Sequence, residues 1–74
     1  MSEPTKTKYK YIHFIKLRTE LWDCVNNKDF RSLGIVVWFP RWKQWQYVPA
    51  PNTAYTSECL RDIADFMSQL EKPI

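Results

Sequence analysis

The chain has one glycine, Gly34, and one histidine, His13. So little glycine excludes phosphate-cradling loops, where several glycines let the backbone approach a ligand. A lone histidine beside only two cysteines, Cys24 and Cys59, leaves too few ligands for a tetrahedral zinc site supplied by this chain. The two cysteines read as buried, reduced thiols rather than as a disulfide. No run approaches the ~20 apolar residues of a membrane span. The opening residues also lack the apolar segment of a signal peptide, so a cytoplasmic protein with no membrane partner is expected. Repeats, low-complexity tracts and long linkers are missing too.

Aromatic mass is plentiful. Trp, Tyr and Phe, four of each, make up 16% of 74 residues. That length has room for one core. Each aromatic side chain buries roughly 150–250 Å², which offsets the poor surface-to-volume ratio of a small domain. Residues 1–8 are polar and charged, with Pro4, and read as a disordered N-terminal arm; the short tail from Glu71 reads as frayed. A single domain over residues 9–72 remains.

The net charge of +3 is unevenly spread. Residues 1–18 hold Lys6, Lys8, Lys10, Lys16 and Arg18 against Glu3. Residues 57–74 hold Arg61 and Lys72 against Glu58, Asp62, Asp65 and Glu71. One end suits a polyanion and the other repels it.

The clearest periodicity comes last. Leu60, Ile63, Ala64, Met67 and Leu70 recur at intervals of three and four with Phe66 flanking them, which predicts an amphipathic helix. Thr56 or Ser57 serves as N-cap, Glu58 sits in the first turn, Lys72 in the last, and Pro73 stops the helix. Residues 33–39 are β-branched and aromatic, and residues 43–48 alternate, so a hairpin joins them through Pro40-Arg41-Trp42. An odd-length connection is preferred because it segregates the faces. It puts Ile35, Val37, Phe39, Trp45 and Tyr47 on the side the helix covers, and Val36, Trp38, Gln44 and Gln46 on the other. Gly34 suggests a bulge or a close backbone approach.

Residues 22–26 and 9–17 look like two more strands. The latter stretch also fits a helical spacing, and its aromatic and β-branched content decides for strand. A polar turn over residues 26–29 and a proline-rich loop over residues 49–53 complete the chain. The expected fold is α+β: a small antiparallel sheet of three to four strands with one C-terminal helix packed on one face.

Little in this inventory performs catalysis. Asp62 and Asp65 fall on the polar side of the helix, and no Ser or Cys nucleophile has an evident base. The chain is therefore expected not to be an enzyme, with no cofactor, metal or small-molecule substrate. The segment from Trp38 to Trp45 concentrates stacking planes, cations and amides. It nominates Trp38, Arg41, Trp42, Lys43, Gln44 and Gln46 as a binding site for an unidentified protein partner or for a second copy in a homodimer. Lys8, Lys10, Lys16, Arg18, Arg41 and Lys43 nominate an alternative DNA- or RNA-binding surface.

Trp22-Asp23, Asn26, Leu33-Gly34, Trp38-Phe39, Trp42-Lys43-Gln44, Cys59-Leu60, Asp62-Ile63 and Phe66 together resemble a group of small uncharacterised bacterial and phage or prophage proteins. In that group a tryptophan-rich hairpin precedes a helix opening with Cys-Leu. The likeness spans roughly residues 14–70 and implies a phage-type accessory protein, with no known activity to carry over. In architecture alone, a sheet followed by one helix is similar to the DNA-binding domains of the tyrosine-integrase arm and plant ethylene-response type. Those domains carry a dense basic sheet face, whereas the hairpin here has only Arg41 and Lys43.

Overall fold

Alternation and turn chemistry resolve into four strands and a helix in a computed structural model that describes residues 4–73. They are β1 (Ile12–Arg18), β2 (Leu21–Asn26), β3 (Ser32–Phe39), β4 (Gln44–Pro49) and α1 (Ser57–Ser68). Each strand pairs antiparallel with its sequence neighbour, giving the order β1-β2-β3-β4. The helix lies across one face, so the fold is the α+β arrangement expected. No helix among the described residues is long and apolar enough to cross a membrane.

The β3–β4 register corrects the expected one. Phe39 stands opposite Gln44, Trp38 opposite Trp45, Val37 opposite Gln46 and Val36 opposite Tyr47, so the connection has four residues rather than three. Every β3 side chain therefore lies on the face opposite to that anticipated. Val36, fully buried, and Trp38 join Trp45 and Tyr47 under the helix, while Ile35, Val37 and Phe39 share the open face with Gln44 and Gln46. Cross-strand aromatic pairing favours this register: the Trp38 and Trp45 rings meet edge to face at 5.6 Å and 71°. Glutamines on the open face stay in water, so face segregation carried no penalty to decide the matter.

Both longer turns close alike. The amide of Lys43 donates to Phe39 O at 2.8 Å, and that of Phe30 to Asn26 O at 2.8 Å. Each donor residue is left-handed, with φ of 55° at Lys43 and 61° at Phe30. Neither is the glycine or asparagine that usually marks such a position.

Gly34 satisfies both of its expectations. The register slips between Cys24 and Val25 opposite it, and a Cβ there would meet Tyr47 Oη at 2.5 Å and Val48 O at 2.6 Å. Pro49, expected to lie beyond the ladder, is the last residue of β4 and pairs with Gly34. An edge strand tolerates its missing donor.

The core joins Tyr9, Ile12, Phe14, Trp22, Cys24 and Val36 to Ile63 and Phe66 of α1. Phe66 stacks on Phe14 at 3.9 Å between centroids and meets Trp22 edge-on at 5.0 Å. Phe66 is thus central rather than flanking, and the helix is turned so that Leu60 is 52% exposed. Met67 and Leu70 still pack on the core. Thr56 is the N-cap, its side chain accepting from the amide of Cys59 at 3.2 Å. Gln69 caps the other end, so Lys72 and Pro73 lie past the helix rather than in its last turn.

Residues 1–3 of the expected arm lie outside the described residues. From Thr5 the chain is tied down: the amides of Thr5 and Lys6 donate to Gln69 Oε1 at 3.0 and 3.1 Å, and Gln69 Nε2 donates to Lys6 O at 2.9 Å.

Candidate functional site

The meander topology decides which nominated residues meet. The β1–β2 and β3–β4 turns lie at one end of the sheet; the β2–β3 turn and the approach to β1 lie at the other. Arg18, Arg41 and Lys43 stand at the first end, with Lys16 on β1 near it, whereas Lys8 and Lys10 stand at the second. Strands of six to eight residues at ~3.3 Å each separate these ends by about 20 Å. The six cations nominated for a polyanion therefore form no single stripe. Lys10 Nζ sits 5.3 Å from the Tyr11 ring centroid instead.

The six hairpin residues divide between the two sides of the sheet. Trp38, half-buried, lines a groove of about 400 Å³ with Trp45, Met67 and Leu70, and Lys43, Gln44, Ala64, Ser68 and Lys72 complete its lining. Trp45 Nε1 donates to Glu71 O at 3.2 Å, which fixes that indole in place. Trp42 is 67% exposed at the hairpin tip and meets Phe39 edge-on at 5.2 Å, prolonging the open face. Arg41 is exposed at the same tip, and Gln46 lies on the open face opposite Val37.

That open face is mostly aliphatic. One row runs Ile15, Asp23, Ile35, Val48, and the next runs Arg18, Leu21, Val37, Gln46. Ile15 and Val48 are 44% and 41% exposed. Arg18 reaches its place through a bulge after Lys16 that sets both Leu17 and Arg18 against Leu21. Asp23 Oδ1 accepts from the Ser32 hydroxyl at 2.7 Å.

The groups best suited to proton chemistry are engaged elsewhere. His13 Nδ1 hydrogen-bonds Asn27 Oδ1, while Asn27 Nδ2 donates to Tyr9 O at 2.8 Å, so the histidine braces the start of β1. Burial pushes the Cys24 thiol up to about 11. Burial, then its bond to Tyr55, holds the Tyr47 phenol far above its ordinary range; the two hydroxyls lie 2.7 Å apart, and Tyr55 donates onward to Leu33 O. Tyr9 is raised by burial and then by Asp65, whose Oδ2 accepts its hydroxyl proton at 2.7 Å. Asp65, expected to be merely solvated, thus anchors α1 to the chain ahead of β1. Among the described residues, no group of three or more His, Cys, Asp or Glu is placed to hold a metal ion.

Comparison with protein families, with curated proteins and with solved structures finds no match.

Sequence reasoning missed Ile15, Asp23, Ile35, Val37 and Phe39 as surface residues. Three of these were assigned to the core by the odd register. The one signal able to expose the error was the length of the 40–43 connection, and no glycine marks its left-handed last residue.

Proposed function

We propose that this chain is a non-enzymatic interaction module that recognises a protein surface through its open sheet face, extended by Phe39 and Trp42 at the hairpin tip. The carrying observation is the row Ile15, Asp23, Ile35, Val48 with Leu21 and Val37 beside it, a largely aliphatic surface on the side of the sheet away from α1. Contiguous apolar patches of this kind mark association sites, and exposed aromatic anchors such as Trp42 strengthen them. The engaged state of His13 and the protonated, buried Cys24 favour binding over catalysis. A phage-type accessory role in the cytoplasm belongs to the same proposal and draws on the sequence resemblance.

Nucleic acid is the less favoured ligand, because the open face presents aliphatic side chains and Asp23 where a basic sheet face would be needed, and the cations are split between two ends. The test compares wild type with Val37→Glu as capture baits. Each captured protein is reconstituted from pure components and its contacts mapped by methyl shifts. The proposal expects shifts centred on Ile15, Ile35 and Val37, and loss of binding in Val37→Glu. Salt-sensitive oligonucleotide binding that quenches Trp42 and is unaffected by Val37→Glu would transfer the function to nucleic acid.

A further inference from the structure

Besides its aliphatic side chains, the open face carries one cation and one anion in register. Arg18 stands opposite Leu21, and Asp23 lies two residues further along β2 on the same face as Leu21. Two residues along a strand is ~7 Å and one strand across is ~4.8 Å. The two charges therefore lie on a diagonal roughly one arginine length apart. Asp23 is held by the Ser32 hydroxyl.

Such an offset is self-complementary. A two-fold axis lying in the face exchanges the two positions, so each Arg18 meets the Asp23 of the other copy. We infer that the open face receives a second copy of this chain, sheet against sheet, with two reciprocal Arg18–Asp23 pairs set in an aliphatic interface. This rests on the open face being the interaction surface, and it names the occupant.

Three further features fit that occupant. Taken together the two side chains make the face neutral, so a second copy meets no net repulsion across it, whereas a polyanion meets Asp23. Four strands of six to eight residues present a flat footprint of roughly 20 by 20 Å, which with side-chain relief approaches the ~600 Å² per partner of the smaller specific interfaces. Asp23, held by the neutral Ser32 hydroxyl, would be costly to desolvate under an apolar partner, and the second copy supplies a cation that offsets this cost. The assembly has helices on the outside and two sheets packed ~10 Å apart within.

Sedimentation velocity from micromolar to millimolar concentration tests the inference on the intact chain, with circular dichroism confirming that each variant folds. The expected result is a concentration-dependent dimer. Arg18→Asp and Asp23→Arg each weaken it by roughly tenfold or more. The double swap Arg18→Asp/Asp23→Arg recovers most of the loss, and Val37→Glu abolishes the dimer. A monomer at every concentration overturns the inference, as does a dimer indifferent to Val37→Glu or a double swap no better than the single ones. The capture experiment stays independent: a monomeric chain that still binds another protein through Ile15, Ile35 and Val37 refutes the second copy and retains the interaction face.

Discussion

On the covered side of β3, Val36 is completely buried between Trp22 and Tyr47, its partners in register. One residue further along the same strand, Val37 stands half-buried on the open face between Leu21 and Gln46. The two side chains are chemically identical. What separates them is whether a helix lies above, and that depends on one residue in the length of the 40–43 connection. Apolar character therefore does not reveal which face of a small sheet is core. The covered face is distinguished by fit: Phe66 stacked on Phe14, the Trp38–Trp45 pair, and a glycine where Tyr47 crosses β3.

This contrast can be broken most forcefully at Phe66. Its replacement by alanine removes the ring shared by Phe14 and Trp22 and should cost about 3–5 kcal/mol in urea denaturation. Phe39→Ala on the open face should cost about 1 kcal/mol or less in the same measurement.

Raising pH probes the covered face alone. The unfolded chain releases the Cys24 proton near the ordinary value of 9.0, whereas the folded chain holds it to about 11. Stability is therefore intact below pH 9 and declines as pH rises from 9 to 11, by about 2 kcal/mol. Tyr9 and Tyr47, also raised by burial, add losses of the same sign from their ordinary value of 10.0 upward, so they overlap the upper half of that range. Urea midpoints at pH 7, 9, 10 and 10.5 follow the trend, and Cys24→Ala should flatten the part between pH 9 and 10, where the tyrosines contribute little.

Gly34→Ala places a methyl group against Tyr47 Oη and Val48 O, contacts of 2.5 and 2.6 Å that an edge strand relieves only by shifting, at about 1–3 kcal/mol. The smallest effect is a gain. Lys43→Gly removes the strain of a left-handed lysine at φ 55° and should stabilise the hairpin by about 0.5–1 kcal/mol.

Much of the fold was legible in the sequence. The 3.6-residue periodicity after Thr56 located α1 and narrowed its N-cap to Thr56 or Ser57, and β-branched and aromatic runs located the strands within a few residues. Gly34 announced a close backbone approach, which Tyr47 supplies. The rotation of α1 was not legible, because Leu60 and Phe66 are both apolar and only the Phe14–Trp22 pocket chooses between them. The hairpin register was hidden for a related reason: both registers produce one plausible apolar face, and the turn that decides between them ends in a lysine rather than a glycine. Trp42 was nominated and is displayed; Trp38 was nominated and lies under the helix side beside Trp45. The open-face residues went unnominated because they were counted as core.

Val36 faces in and Val37 faces out, and a matched pair of variants tests this directly. Val36→Glu and Val37→Glu are compared by urea denaturation at dilute concentration and neutral pH. Val36→Glu buries a charge among Trp22, Phe66 and Tyr47 and should lose more than about 3 kcal/mol or fail to fold. Val37→Glu should stay within about 1 kcal/mol of wild type. Equal losses, or a larger loss at Val37, would contradict the assignment of the two faces.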